Sequence, residues 1–278
     1  VSTILITGAT GTVGREVANA LNKSNVLFRV TTRRSEGTNH EQEVYLDFRR
    51  SESFLPALAG VEKLFLVRPS DVVDVEETFL PFVQAAQKQG VRQITFLSVM
   101  GAEYQPMIPH ARIERAIAEA GIAYTFLRPS FFMQNLVTSH LNEIQQEQTL
   151  YIPAADSKTS LIDVRDIGEV GAKSLLDDQY WNKGYTLTGS EALTYYDVAQ
   201  IMTEELGRPI TYANPTPEQF KAHMLSKHVP PAFVQVMLDV YGIAAAGLVE
   251  AVTPDLAIML GHAPKTVRDF VHDYRNQL

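Results

Sequence analysis

The chain has 278 residues, of which 45% are hydrophobic and 9% aromatic, so it can bury a sizeable core as one large domain or as a larger domain with a smaller partner. A formal net charge of -8 without a basic cluster argues against a nucleic-acid partner and favours simple solubility. With no cysteine, disulfides, thiolate metal sites and cysteine nucleophiles are excluded, which fits a reducing cytoplasmic setting. No positively charged segment followed by an apolar one opens the chain, so export is not expected. The longest apolar run, Val240 to Val249, is too short to cross a bilayer.

The first element is an apolar run, Ile4-Leu5-Ile6, that ends in three glycines spaced three apart, Gly8, Gly11 and Gly14. Val13, Val17 and Leu21 then recur at helical spacing, so the stretch reads as strand, tight turn and helix. Glycine lets the turn reach backbone angles closed to other residues, and the first N–H groups of the helix are free to bind phosphate. Gly8, Thr10, Gly11, Thr12, Val13 and Gly14 are therefore expected to cradle a dinucleotide pyrophosphate.

Val26 to Thr32 is β-branched and aromatic and reads as the second strand. In a dinucleotide fold its tip faces the adenosine ribose, where an acid suits the 2′-hydroxyl of NAD and an arginine suits the 2′-phosphate of NADP. Here the tip is Thr32-Arg33-Arg34, with no carboxylate until Glu36, which favours NADP(H) over NAD(H). Val44 to Phe48 follows as a short strand and turn, and Asp47 and Phe48 are candidates for an adenine contact or for a plain turn. Ser51 and Glu52 open a helix. Lys63 to Val67 reads as a third buried strand closed by Arg68-Pro69-Ser70, and its carboxyl end is expected beside that of the first strand, which brings Val67 and Arg68 to the cofactor edge. Thr78 to Gln89 reads as a helix stopped by Gly90, and Gln93 to Ser98 as the fourth strand. Repeated β-α units of this length imply a doubly wound parallel sheet.

Ser98 stands where short-chain dehydrogenases place a catalytic serine, yet none of the eleven tyrosines has a lysine four residues later. Proton relay by a tyrosine–lysine pair is therefore not expected, and Ser98 is assigned to the cofactor side. The corresponding helix, Pro109 to Gly121, carries His110 and Glu114 on one face. His110 is the candidate catalytic proton donor, with water as its rival and an ordinary surface ion pair as the alternative. No third ligand accompanies this pair, so no metal is expected. Ile122 to Leu127 reads as a strand ended by Arg128-Pro129, which places Pro129 at the cofactor and Phe131, Phe132 and Met133 at the nicotinamide end as a substrate wall.

Gly8-Ala9-Thr10-Gly11-Thr12-Val13-Gly14, the Thr31-Thr32-Arg33 tip, His110 with Glu114, and Leu127-Arg128-Pro129 followed by Phe131-Phe132-Met133-Gln134-Asn135 together resemble the NmrA-like group of atypical short-chain dehydrogenases. The resemblance extends to Leu161 to Gly168 and Tyr185 to Gly189, and it is nearest to type 2 quinone oxidoreductases, triphenylmethane dye reductases and related azoreductases. It implies a Rossmann-type α/β fold and an NAD(P)H-dependent reductase acting on a quinone, azo or similar conjugated aromatic acceptor. The group also contains dinucleotide-binding regulators that turn nothing over, which is the alternative. Sugar-nucleotide epimerase chemistry is disfavoured by the missing tyrosine and lysine.

Residues 1–130, with returning segments near 160–190, are assigned to the dinucleotide domain, and 131–159 with 191–278 to a smaller, mostly helical substrate lobe. Asp163 to Leu176 is expected as a short strand feeding a helix that returns to the core domain, Gly184 to Thr188 as another strand and, in the smaller lobe, Thr194 to Leu206 as a helix capped by Gly207. Ile210 to Tyr212 reads as a brief strand, and Glu218 to Leu225, Phe233 to Gly247 and Lys265 to Tyr274 as helices divided by prolines. Phe220, Met224, Phe233, Met237 and Tyr241 are expected in its core rather than in a pocket. The expected partners are a small aromatic substrate and a second copy in a homodimer, without nucleic acid or membrane.

Overall fold

The computed structural model describes residues 3–34, 42–69, 71–72 and 74–278; Glu36 and Ser70 lie outside the described residues. The chain runs through β1 (Ile4–Ile6), α1 (Thr12–Lys23), β2 (Phe28–Thr32), β3 (Glu43–Tyr45), α2 (Phe54–Leu58), β4 (Lys63–Val67), α3 (Phe79–Lys88), β5 (Gln93–Leu97), α4 (Pro109–Glu119) and β6 (Ala123–Pro129). It continues through α5 (Asn135–Thr138), α6 (Leu141–Gln146), β7 (Thr149–Leu150), α7 (Val164–Leu176), β8 (Lys183–Leu187), α8 (Tyr195–Leu206) and β9 (Thr211–Tyr212). The last helices are α9 (Pro217–Ser226), α10 (Pro231–Ala245), α11 (Asp255–Leu260) and α12 (Val267–Tyr274). The chain divides into two compact units, Val1–Pro129 with Val164–Leu187, and Ser130–Asp163 with Thr188–Leu278.

The first unit is a Rossmann-type doubly wound α/β fold. Its seven-stranded sheet has the order β3-β2-β1-β4-β5-β6-β8, and every pairing is parallel. Parallel strands covered on both faces read as continuous apolar runs, and β4 (Lys-Leu-Phe-Leu-Val) is such a run. One face carries Leu5, Leu64, Leu66, Ile94, Phe96 and Phe126 into a core shared with Phe54, Phe79, Phe82, Ile113 and Ile117 of α2, α3 and α4. On the other face α7 packs against α1 and across β4, β5 and β6. Two glycines make that approach possible: an added Cβ would lie 2.4 Å from the Glu16 side chain at Gly168, and 2.8 Å from Val17 and 3.1 Å from Phe65 at Gly171. The same face buries a polar cluster in which Thr95 and Ser174 share a 2.9 Å hydrogen bond and Gln93 donates to Thr95 at 2.7 Å. Gln93 Nε2 and the two hydroxyls are satisfied there away from water, while Gln93 Oε1 has no partner among the described residues.

β1 pairs with β2 on one side and with β4 on the other. The strand order therefore reverses at β1, and in open α/β sheets ligands bind at the carboxyl ends of the strands beside such a reversal.

The second unit is mostly helical, with β7 and β9 forming a parallel two-stranded ribbon. Three of its helices begin with reciprocal capping boxes, Thr194 with Asp197, Thr216 with Gln219 and Thr266 with Asp269. Phe220, Met224, Met237 and Tyr241 are buried as expected, but Phe233 is 48% exposed. The reason is helical phase: Val234, Met237, Tyr241 and Ala244 occupy the inner stripe of α10, one residue out of register with Phe233. The strand expected before α7 is reduced to an isolated bridge between Phe132 and Ile162. Among the described residues, no helix is long and apolar enough to cross a membrane.

Candidate functional site

The glycine turn lies at the carboxyl end of β1. The Thr7 hydroxyl accepts from the Val67 N–H at 2.7 Å and the Thr7 N–H donates to the Phe65 carbonyl at 2.9 Å, which ties the end of β1 to the end of β4. Gly8 takes a left-handed φ of 67°, and a Cβ there would stand 3.1 Å from the Val67 side chain. Gly8 accepts from the Gly11 N–H at 2.9 Å, closing the turn. Gly14 presses α1 onto it so tightly that an added Cβ would sit 2.3 Å from the Gly8 carbonyl oxygen. Val13 and Gly14 are buried, while Gly8, Thr10 and Gly11 are exposed. The Gly11 N-cap supplies no side-chain hydrogen bond, and the first turn of α1 has no acidic residue. The leading N–H groups of a twelve-residue helix thus point out beside an exposed, glycine-lined backbone, the arrangement that holds a pyrophosphate.

Ser98 follows β5 on the same edge of the sheet. It is 2% exposed, its N–H donates to the Leu127 carbonyl at 2.8 Å, and its buried Oγ has no hydrogen-bond partner among the described residues. A buried hydroxyl without a partner is costly unless something completes it, so the orphan oxygen and the Gly14 contact together fit a dinucleotide lying along this edge. Pro129 ends β6, is buried, and accepts the Met100 N–H at 3.0 Å.

Arg33 leaves the tip of β2 exposed and ion-paired with Asp71, Nη1 to Oδ2 at 3.7 Å. Arg34 is exposed and donates its backbone N–H to the Thr32 hydroxyl at 3.2 Å. Asp47 caps its own turn, its Oδ1 accepting the Arg49 N–H at 3.0 Å. Phe48, proposed from the sequence as an adenine contact, is 7% exposed and stacks on Phe79 at 4.5 Å, with Phe82 edge-on at 5.0 Å. Its ring belongs to the core because aromatic burial beneath the sheet outweighs exposure at a turn.

His110 and Glu114 do not form the pair that their spacing implied. Glu114 is buried and accepts a forked pair of hydrogen bonds from Arg128, at 3.0 Å from Nε and 2.7 Å from Nη2, and Glu103 approaches the same guanidinium at 3.3 Å. A bidentate charge-assisted contact to arginine is stronger than a single one to imidazole. His110 instead sits near Phe96, ring centroids 6.1 Å apart, and its Nε2 accepts a long 3.5 Å hydrogen bond from Arg68 Nε. Burial, with the neighbouring Arg68 charge, pushes the His110 pKa down to about 4. The imidazole is therefore neutral at physiological pH, with Nε2 turned to Arg68 and the proton on Nδ1, which is unfavourable for the proton-donor role expected of it. Arg68 is held by the carbonyls of Val72 at 2.7 Å and Pro69 at 3.2 Å.

Phe131, Phe132 and Met133 fall in the second unit. Met133 is 1% exposed and its N–H donates to the Ile162 carbonyl at 2.9 Å, so it serves the interior of that unit rather than a substrate wall. Phe131 and Phe132 are half-buried, and the Phe131 ring lies 6.0 Å from that of Tyr241. Tyr241 is buried with its hydroxyl 2.5 Å from His140 Nε2, and burial pushes the His140 pKa down to about 4. Elsewhere in this unit Glu143, Glu147 and His223 bring donor atoms within 4.8 Å of one another. His223 is already paired with Glu143 at 3.0 Å, and Glu147 with Lys227 at 2.7 Å.

Sequence reasoning missed Arg49 and Asp71. Arg49 Nη2 contacts Asp71 Oδ2 at 2.9 Å and the Asp71 carbonyl at 3.0 Å. Residues 33, 49 and 71 follow three different strands, and no spacing in the chain connects them.

A model of the NmrA-like family matches residues 1–270. The NAD(P)H azoreductase of Xenophilus azovorans is 30% identical over 276 residues, covering 96% of each chain. The Escherichia coli NADPH-dependent quinone oxidoreductase, solved in complex with NADPH, superposes with a TM-score of 0.86 at 26% identity, covering 97% of this chain and 99% of that one. The Citrobacter sp. triphenylmethane reductase complexed with NADP(H) shares the fold, with a TM-score of 0.87 at 24% identity over 98% of this chain and 99% of that one.

Proposed function

The chain belongs to the NmrA-like family, and from that premise we propose that it is an NADP(H)-dependent reductase that passes a hydride to a quinone, azo or similar conjugated aromatic acceptor. The observation that carries this reading is the cradle at the end of β1, where Gly14 brings a free helix N-terminus against Gly8. The exposed arginine at the tip of β2 supports a 2′-phosphate on the cofactor. The azoreductase and quinone oxidoreductase relatives support the acceptor class.

NADPH, when bound, supplies the hydride. The protein's part would be binding and orientation: the N–H groups of α1 would hold the pyrophosphate, Ser98 Oγ would offer a hydrogen bond along the strand edge, and Arg33 would hold the ribose phosphate. Hydride transfer to a conjugated acceptor leaves a delocalised anion, which needs positioning more than acid catalysis. Because His110 stays neutral above about pH 4, water supplies the proton in this mechanism. Purified protein mixed with NADPH and a panel of quinones, azo dyes and triarylmethane dyes should consume the nicotinamide absorbance with at least one class. Tight NADPH binding without turnover on any of them would sink the reductase reading in favour of a cofactor-sensing regulator.

The His110 assignment makes a further expectation measurable. His110→Ala should keep the reduction rate within roughly threefold, since general acid catalysis contributes far more when it operates, and the rate should show no inflection near pH 6.5. A loss of about a hundredfold or more, with an inflection near neutrality in the unmodified protein, would restore His110 as the donor. His110 and His140 both hold pKa values near 4 in the fold against 6.5 ordinarily, so the unfolded chain binds more protons in that window and stability falls as pH drops from 6.5 towards 4.

A further inference from the structure

Two guanidinium groups from different loops meet on one carboxylate oxygen. Arg33 Nη1 lies 3.7 Å and Arg49 Nη2 2.9 Å from the same Asp71 Oδ2. The three side chains are 69%, 54% and 50% exposed respectively, so a ligand can reach them. Their convergence follows from the topology. The parallel pairing of Thr32 with Tyr45 brings the ends of β2 and β3 level, and the Leu46 N–H donates to the Thr32 carbonyl at 3.0 Å. The Asp47 turn then fixes the Arg49 backbone at 3.0 Å. Asp71 follows β4, on the far side of β1, and Arg49 also reaches its carbonyl at 3.0 Å.

We propose that Arg33 and Arg49 form a two-guanidinium clamp for the 2′-phosphate of the cofactor, and that Asp71 is its internal competitor. The clamp rests on the NADP(H) reading above. An anion between two guanidiniums relieves their mutual repulsion, and their planar forks match the geometry of a phosphate as they do that of a carboxylate. A phosphate monoester carries about -1.5 to -2 charges against the single charge of Asp71, so it outcompetes the carboxylate for both forks. With a 2′-hydroxyl instead of a phosphate, the carboxylate keeps the arginines. Asp71 thereby assembles the clamp and also limits how tightly a second anion binds there. The neighbouring guanidiniums hold its carboxyl below the usual range, so the competitor is charged at all physiological pH values.

Binding of 2′,5′-ADP and 5′-AMP to the full chain, followed by calorimetry, isolates this end of the cofactor from the chemistry. Arg49→Ala should weaken 2′,5′-ADP roughly tenfold, as expected for loss of a charge-assisted hydrogen bond, and leave 5′-AMP unchanged. Asp71→Asn should tighten 2′,5′-ADP roughly fivefold by removing a like charge at contact distance, again with 5′-AMP unchanged. Both side chains are exposed, so the melting temperature should be preserved and confirms folding. Unchanged 2′,5′-ADP affinity in Arg49→Ala while Arg33→Ala loses it would overturn the clamp and leave the NADP(H) reading intact. Equal affinity of the unmodified protein for the two nucleotides would overturn the NADP(H) reading itself. Weaker or unchanged binding in Asp71→Asn would remove the competitor role.

Discussion

Gly14→Ala should cost this protein its dinucleotide binding and part of its stability together. The added Cβ would lie 2.3 Å from the Gly8 oxygen, 2.6 Å from the Gly8 carbonyl carbon and 3.0 Å from the Ala9 nitrogen. All three obstacles are backbone atoms of the turn, so none can swing aside as a side-chain end would. The first turn of α1 must retreat, and the N–H groups aimed at the pyrophosphate move with it. NADPH affinity should fall by roughly a hundredfold or more, since ångström-scale displacement of positioned donors carries losses of that order. Unfolding free energy should drop by about 2 kcal/mol, as is usual for overpacking. Gly242→Ala is the control: nothing among the described residues lies within 4 Å of its Cβ position inside α10, and the helix should gain up to about 1 kcal/mol. NADPH titration and thermal unfolding of both variants test the contrast. A Gly14→Ala protein that binds NADPH within a few-fold of the original would show that the turn is only a structural strand-helix connection.

Arg33→Ala carries the second large effect, on selectivity. Removing a guanidinium that pairs with a dianionic phosphate should weaken NADPH by roughly tenfold to a hundredfold, while NADH, which has only a hydroxyl there, should change by less than about twofold. The gap should narrow with added salt, because Arg33 is 69% exposed and its field is screened. Equal losses for the two nucleotides, measured by direct titration at one ionic strength, would remove the 2′-phosphate assignment. The effect is expected to be smaller than for Gly14→Ala because the pyrophosphate cradle is common to both cofactors and Arg33 touches only their difference.

The sequence by itself determined the repeating β-α order and the turn at Gly8 to Gly14. Apolar periodicity and glycine chemistry are local properties, written within a few residues of one another. It also located His110 at a helix start, because Pro109 and Gly121 bound that helix within one stretch of chain. What the histidine does there was decided by tertiary structure. Spacing along α4 pointed to Glu114 as its partner, but Arg128 arrives from β6 and takes that carboxylate with a fork, while Arg68 arrives from the end of β4. Burial then keeps the ring neutral, and burial cannot be read from a single helix. Phe48 and Met133 turn their side chains inward for the same kind of reason: an aromatic or sulfur side chain beside an expected site looks alike in sequence whether it faces a ligand or the core. Arg33, Arg49 and Asp71 lie far apart in the chain and meet only because parallel strands end on one edge of the sheet. That meeting is a product of topology, and topology alone made it visible.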